Sequence, residues 1–235
     1  MKNKFLLEIS VESVEAAAAA ERGGADRIEL CDNLSLGGLT PQAALIHAVR
    51  QQIQIPIFVM IRPRAGDFVY SPAEFAEMKK SIAAARDARA SGLVFGILKA
   101  DRTVDIERTA ELIELAQPLP VTFHRAFDAC ADLSQALEDV ARCGASRILT
   151  SGGTASAPEG SGNIRMLVAA AGERVTIIPG AGINAGNILQ LAAATRARDF
   201  HSGLSSVFSR SKANYVQFEN EVRAMVKILS TLTPE

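Results

Sequence analysis

Residues 121–128 read Val-Thr-Phe-His-Arg-Ala-Phe-Asp, and this stretch decides how the chain is organised. Apolar and polar residues alternate from Val121 to His124, which is the period-two pattern of a strand with two different faces. The alternation then breaks into a polar segment that carries Arg125 and Asp128. The stretch therefore predicts a strand that ends in a histidine beside an arginine, just before a helix, at the edge of a sheet.

Apolar runs of the same character recur along the whole chain. The eight predicted strands are Phe5–Ser10, Arg27–Leu30, Pro56–Ile61, Gly92–Leu98, the run that begins at Val121, Arg147–Thr150, Val175–Ile178 and Asp199–His201. Helix signals lie between these runs. They are Ala16–Ala20 with Ser13 as its cap, a start at Thr40-Pro41, a capping box at 71–74, and helices over Asp105–Ala116, Ser134–Cys143 and Gln217–Leu229.

Strands that alternate with helices predict parallel βαβ units, and eight such units close into a barrel. We therefore expect an α/β fold, a single TIM (β/α)8 barrel domain over residues 1–235. The alternative is an open doubly wound sheet, whose sign is a glycine-rich dinucleotide fingerprint after the first strand. No such fingerprint is there. The similar stretch Gly180–Gly186 has its last glycine one place late and follows the seventh strand.

The composition argues against several classes of partner. The chain has 235 residues, a net charge of −1 and 48% hydrophobic residues, which predicts no binding to nucleic acid or to an anionic membrane. No apolar run is long enough to cross a bilayer, and the start of the chain does not resemble a signal peptide. The three cysteines have no CxxC spacing, so we expect neither a disulfide framework nor a structural zinc site. A cytoplasmic, reducing compartment is the simplest expectation.

Polar residues of pore-facing parity cluster at the carboxyl ends of the predicted strands, where barrel enzymes place their chemistry. The candidate acid/base residues are Glu8, Glu29, His124 and His201. Each glutamate has an alternative interpretation as a pore carboxylate paired with Arg62 or Arg125 for structural reasons. Each histidine could instead be a core residue that holds a loop carbonyl. The sequence leaves both alternatives open.

Three guanidinium groups and two glycine loops predict an anion pocket on the same face. The candidate binding residues are Arg62, Arg64 and Arg125, with the backbone of Ser151, Gly152, Gly180 and Gly182. A carboxylate or phosphate is the expected ligand. The alternative is that the glycines only turn the chain. The segments 151–162 and 202–214 follow strand ends and are rich in small polar residues, so we interpret them as mobile loops over the site.

Metal binding has a weaker signal. The chain has no HExxH, EF-hand or paired CxxC motif. Two glutamates and two histidines that converge could hold a hard or borderline cation. Cys31, at the end of the second strand, is a candidate soft ligand, although a lone cysteine is more often a small buried apolar residue.

Several longer segments together resemble the CutC family, which is described as a family of copper homeostasis proteins. The segments are Gly24–Cys31, Gly37–Pro41, Met60–Phe68, Val121–Asp128, Leu149–Gly152, and Pro179–Gly182 with His201-Ser202. They extend over residues 5 to about 203. The resemblance implies a TIM barrel, a cytoplasmic location, a homo-oligomer and an association with Cu(I) binding.

One position departs from the family pattern, which has a cysteine at the end of the first strand as well as the second. Here the two positions are Ser10 and Cys31. Cu(I) prefers soft sulfur ligands, so the resemblance implies Cys31 as the copper ligand, in a site weakened by Ser10. Met60 has the parity to offer a thioether.

Three functional hypotheses follow. The resemblance implies a protein of copper homeostasis with possible Cu(I) binding at Cys31. The residues at the strand ends favour a TIM-barrel enzyme that acts on a small anionic or phosphorylated substrate. A sensor that binds such a molecule without turnover would use the same pocket.

Overall fold

The computed structural model describes residues 4–204 and 214–233. The strands are β1 (Leu6–Val11), β2 (Arg27–Leu30), β3 (Ile57–Met60), β4 (Gly92–Phe95), β5 (Val121–Phe123), β6 (Arg147–Thr150), β7 (Thr176–Pro179) and β8 (Asp199–Ser202). The helices are α1 (Val14–Gly23), α2 (Ala43–Gln52), α3 (Pro72–Asp87), α4 (Ile106–Ala116), α5 (Leu133–Cys143), α6 (Ser161–Ala171), α7 (Ile188–Thr195) and α8 (Tyr215–Ser230). Short 3-10 turns occupy Leu34–Leu36 and Arg125–Ala129.

The strands form one parallel sheet with the order β7-β6-β5-β4-β3-β2-β1-β8, curled into a nearly closed barrel inside the helices. The predicted (β/α)8 barrel is thereby confirmed. Within the described ranges the hydrogen-bonded ladder runs from β7 round to β8 and is open between those two strands. The seam is bridged by a side chain, because the Ser202 hydroxyl donates to the carbonyl of Ile183 at 2.6 Å. None of the helices in the described ranges is long and apolar enough to span a membrane.

Local signals in the sequence set most helix starts. Ser13 accepts the N–H of Ala16 at 3.1 Å and caps α1. Ser71 and Glu74 form the predicted capping box of α3. The prediction that Thr40-Pro41 opens a helix is wrong, since α2 begins at Ala43. The Thr40 hydroxyl instead accepts the N–H of Arg62 at 2.7 Å, so it fixes the end of β3.

The fourth predicted strand was too long. It ends at Phe95, and Leu98 pairs with Val104 in an isolated bridge. The chain leaves the ladder at Gly96, where an added Cβ would lie 2.7 Å from Nδ1 of His124. The His124 side chain, at the end of β5, therefore lies against the backbone of Gly96, just past the end of β4.

Charged and aromatic side chains close the lower part of the pore. Arg27 lies between two carboxylates: its Nε donates to Oε2 of Glu8 at 2.5 Å and its Nη2 to Oδ2 of Asp199 at 3.0 Å. The guanidinium of Arg147 lies 4.1 Å from the ring centroid of Phe58. These side chains occupy the part of the pore nearer the amino ends of the strands.

Candidate functional site

A cavity of about 540 Å³ opens at the carboxyl ends of the strands. The charged and polar residues that line it are Ser10, Glu29, Arg62, His124, Arg125, Asp128, Thr154, His201 and Ser202. The predicted clustering of strand-end polar residues on this face is therefore present. The predicted candidates Arg64 and Glu8 do not line the cavity; Glu8 lies in the pore beneath it.

Glu8, His201 and Glu29 form a buried row across three neighbouring strands. Nδ1 of His201 lies 2.7 Å from Oε1 of Glu8, and its Nε2 lies 3.8 Å from Oε2 of Glu29. Arg27 takes the other oxygen of Glu8, so both carboxylate oxygens of Glu8 have partners. The structural pairing considered for Glu8 exists, but its partners are Arg27 and His201. Glu29 differs, since its Oε1 is buried and finds no hydrogen-bond partner within residues 4–204 and 214–233.

The two glutamates have opposite electrostatic environments. Burial raises the pKa of the Glu8 carboxyl, but Arg27 and His201 outweigh it and hold that pKa well below its usual range. Burial also raises the pKa of Glu29, and there the opposing charge of His201 does not restore the usual value. Burial lowers the pKa of His201, but Glu29 and Glu8 together raise it above the usual range. Glu8 is therefore held in its charged form, whereas the surroundings of Glu29 favour its protonated form.

His124 is buried in its neutral form. Its Nδ1 accepts the N–H of Ala126 at 3.2 Å, so the proton of the neutral ring is on Nε2. Burial, with the charge of Arg62 adding to it, lowers the pKa of His124 to about 3. The Nε2 atom is buried and has no hydrogen-bond partner among the described residues. His124, which lines the cavity, thus carries a hydrogen-bond donor at Nε2, and its role as an acid/base residue stays a prediction.

The three predicted arginines have different surroundings. Arg62 is buried and donates to the backbone carbonyls of Leu36 at 3.1 Å and of Gly66 at 2.9 Å, so it ties two loops together at the rim of the cavity. Arg125 also lines the cavity. Arg64 was expected there too, but it lies outside and pairs with Glu74 at 2.6 Å. Its direction follows from the capping box of α3, which holds the Glu74 carboxylate in place.

The loop after β6 was predicted to bind an anion, and its donors are already in use. The N–H groups of Ser151 and Gly153 donate to the carboxylate of Asp128 at 3.0 and 3.1 Å, and Arg125 donates to it at 2.8 Å. The N–H of Gly152 donates to the Thr150 hydroxyl at 2.8 Å. Ser151 and Gly152 therefore do not offer free N–H groups to a ligand. The sequence places Asp128 after the fifth strand, but it does not indicate that the Asp128 carboxylate accepts the N–H groups of the loop after β6.

The loop after β7 contributes to the cavity wall. Gly182 and Ala181 line the cavity with φ values of 75° and 78°. Gly180 has a structural role, because its N–H donates to the carbonyl of Thr150 at 2.9 Å and a Cβ there would lie 2.5 Å from Leu149. Of the two predicted mobile loops, 151–162 is held by Thr154 and Asn163 hydrogen bonds and runs into α6. Most of 202–214 lies outside the described residues.

Cys31 is a fully buried thiol. Its Sγ donates to Oε2 of Glu29 at 3.5 Å, and it packs with Met60 in the pore. Burial, and then the charge of Glu29, raises the pKa of Cys31 well above its usual value. With Ser10 in place of a second cysteine, one protonated thiol and one thioether do not form a good Cu(I) site. The donors that do converge are oxygen and nitrogen atoms of Glu8, Glu29 and His201, which lie within 4.8 Å of one another.

The barrel defines a TIM-barrel protein with a cavity lined by carboxylates, histidines and arginines at the carboxyl ends of the strands. The family model of the CutC family matches residues 5–206, and the chain belongs to that family. The human copper homeostasis protein cutC homolog is 46% identical over 228 residues, which are 97% of this chain and 82% of that protein. The family protein CutC of Chromobacterium violaceum is 47% identical over 197 residues, with 84% and 80% covered.

Solved structures agree with this assignment. A crystal structure of CutC from Streptococcus agalactiae matches with a TM-score of 0.81 and 32% identity, and the match covers 85% of this chain and 98% of that one. A thiamine phosphate pyrophosphorylase from Pyrococcus furiosus matches with a TM-score of 0.65 at 13% identity over 97% and 96% of the two chains. The second likeness shows the barrel fold alone.

Proposed function

We propose that this chain takes part in copper homeostasis, as the names of its relatives state for them, and that it acts by binding a small anionic molecule in the cavity. The observation that carries the proposal is the unpartnered Nε2–H donor of His124, buried beside the positive charge of Arg62. A buried donor without a partner costs about 1–3 kcal/mol. A ligand oxygen in the cavity would remove that cost.

Charge indicates the kind of ligand. Arg62 and Arg125 both line the cavity, and Asp128 already balances Arg125. The side chain of Arg62 donates to the backbone carbonyls of Leu36, Gly38 and Gly66, which are neutral partners. An anionic oxygen, from a carboxylate or a phosphate, suits the space between Arg62 and His124 better than a neutral one.

Conversion of that molecule is the second candidate function. Glu29 lines the same cavity with an unpaired oxygen and a raised pKa, which are properties of a general acid or base. The charges of His201 and Glu8 would then help to set the pKa of Glu29. Binding without turnover is the sensor hypothesis, and the two differ only in whether a bound compound changes.

The anion hypothesis is tested by thermal unfolding in the presence of inorganic phosphate and of small phosphorylated and carboxylated compounds. We expect an anion to raise the Tm of the wild type and of Arg64→Met, because Arg64 lies outside the cavity. Arg62→Met should lose the shift, and Arg62→Lys should keep part of it through its charge. An equal shift in wild type and Arg62→Met would overturn the proposal, and so would the lack of any shift.

Copper is tested separately by Cu(I) titration of the reduced protein against a competing chelator. We expect Ser10→Cys to bind Cu(I) much more tightly than the wild type, since it supplies a second thiol near Cys31. Tight binding of one Cu(I) by the wild type, lost in Cys31→Ala, would instead support a copper carrier. The cysteines are free thiols, which supports a reducing, cytoplasmic location. That location and a homo-oligomer stay predictions.

A further inference from the structure

Glu8, His201 and Glu29 form a buried row of side chains of the types that bind metal ions. One candidate ligand atom from each residue lies within 4.8 Å of the others, and the three residues are 1%, 7% and 3% exposed. Glu29 and His201 also line the cavity, so the row is reached from its open end. Three groups at the ends of β1, β2 and β8 are thus brought together by the closure of the barrel.

We propose that Glu29 and His201 bind a divalent first-row transition metal cation, with Glu8 as the residue that positions His201. When Nδ1 of His201 donates to Glu8, a metal that replaces the proton on Nε2 would bind the lone pair of that nitrogen, which lies 3.8 Å from Oε2 of Glu29. A carboxylate that holds the second nitrogen of a histidine is the usual support of a metal-bound imidazole. Glu8 is well suited to this role, because Arg27 fixes its other oxygen.

The unpaired oxygen of Glu29 is the independent observation that points to a cation. Glu29 is 3% exposed, and in the part of the chain that the structure describes its Oε1 has no hydrogen-bond partner. In the described part of the chain Arg27 pairs with Glu8 and Asp199, and His201 approaches only the other oxygen of Glu29, Oε2, at 3.8 Å. A buried carboxylate oxygen without a hydrogen-bond partner is costly, and a bound cation would compensate for its lost hydration.

The donor types select the class of cation. Carboxylate and imidazole together suit Zn²⁺ and its neighbours in the first row, whereas Cu(I) prefers sulfur and Mg²⁺ prefers oxygen alone. Two protein ligands leave coordination positions open towards the cavity. The proposal goes beyond anion binding and does not depend on it, because the cation contacts Glu29 and His201, whereas the anion would contact Arg62 and His124.

The experiment measures Zn²⁺ binding to the full chain by calorimetry after treatment with a chelator and its removal. We expect one Zn²⁺ per chain. Glu29→Gln keeps the shape of the side chain but removes its charge, and it should weaken binding about tenfold or more, as should His201→Ala. His47→Ala is the matched control, since His47 is exposed on α2, and its affinity should equal that of the wild type.

Two further measurements distinguish loss of the metal site from loss of the fold and from binding by Cys31. Far-UV circular dichroism shows whether Glu29→Gln and His201→Ala are folded, and Cys31→Ser should bind Zn²⁺ as the wild type does. No saturable Zn²⁺ binding by the wild type would overturn the proposal. Binding that survives Glu29→Gln but is lost in His47→Ala or Cys31→Ser would overturn it as well. A phosphate titration without zinc tests the anion site alone, so failure of one site is distinguishable from failure of the other.

Discussion

Oδ1 of Asp128 lies 3.0 Å from the backbone nitrogen of Ser151, so a carboxylate that follows β5 occupies the donors that follow β6. Gly153 and Arg125 donate to the same carboxylate. In many barrels the loops on this side bind the phosphate of a substrate. In this chain Asp128 occupies the donors of the loop after β6, and the anion site that we propose is limited to the part of the cavity near Arg62 and His124.

Loss of the Asp128 charge should destabilise the protein. Asp128→Asn keeps the size of the side chain but leaves part of the donor cluster without an acceptor, and we expect the free energy of unfolding to fall by about 1–3 kcal/mol. Urea denaturation measures the change. Asp101→Asn is the control, because Asp101 is exposed and bonds only within its own turn. Equal effects of the two substitutions would contradict the role given to Asp128.

Gly96 should be intolerant of even a methyl group. A Cβ there would lie 2.7 Å from Nδ1 of His124 and 3.1 Å from Cβ of Ala126. We expect Gly96→Ala to lower the free energy of unfolding by about 1–3 kcal/mol and to weaken anion binding, since it displaces the His124 ring. Gly162→Ala is the control: nothing lies within 4 Å of its Cβ position in α6, so it should stabilise by about 0.5–1 kcal/mol. A stable Gly96→Ala variant with normal anion binding would show that the ring has room to move.

The ionic layer below the cavity should depend on Arg27. Arg27→Met leaves Glu8 and Asp199 buried without their cation, and breaking such a group costs about 3–5 kcal/mol. Thermal or urea unfolding measures the loss. Arg174→Met removes one partner of an exposed pair with Glu138 and should have little effect. If Arg27→Met were as stable as Arg174→Met, the layer would not contribute to stability.

His124 should make stability depend on pH. Its pKa falls from 6.5 to about 3 on folding, so between these values the unfolded chain binds a proton that the native ring does not. The native state is then disfavoured as the pH decreases, and this part of the stability is present above pH 6.5 and lost progressively towards pH 3. His124→Gln does not titrate. We expect the free energy of unfolding of the wild type to fall more steeply than that of His124→Gln from pH 7 to pH 4, and parallel curves would contradict the assignment.

The fold was predictable because its signals are local. Apolar runs, caps and breaks recur in order along the chain, and eight βα units have one simple closure. The parity of strand residues also placed Glu29, Arg62, His124 and His201 at one end of the barrel before any contact was known. The end of β4 was not predictable from its own residues, since Gly96, the next residue, packs against the His124 ring of the neighbouring strand.

The chemistry of the site was less predictable because it depends on neighbours that are distant in sequence. Arg62 and Arg64 look equivalent in the sequence, and only the position of Glu74 separates them. The pKa of His124 follows from burial, which no pattern in residues 121–128 reveals. Asp128 meets Ser151 because β5 and β6 are adjacent, and the strength of that contact could not be inferred from spacing.

In the described ranges the ladder is open between β7 and β8, and the Ser202 hydroxyl donates across this seam to the carbonyl of Ile183. Gly182 and Ser202 stand on opposite sides of that seam, and both line the cavity. In the described ranges β7 and β8 each have one backbone edge without ladder hydrogen bonds, whereas β3 and β4 pair on both sides. Amide hydrogen exchange in β7 and β8 should therefore be faster than in β3 and β4.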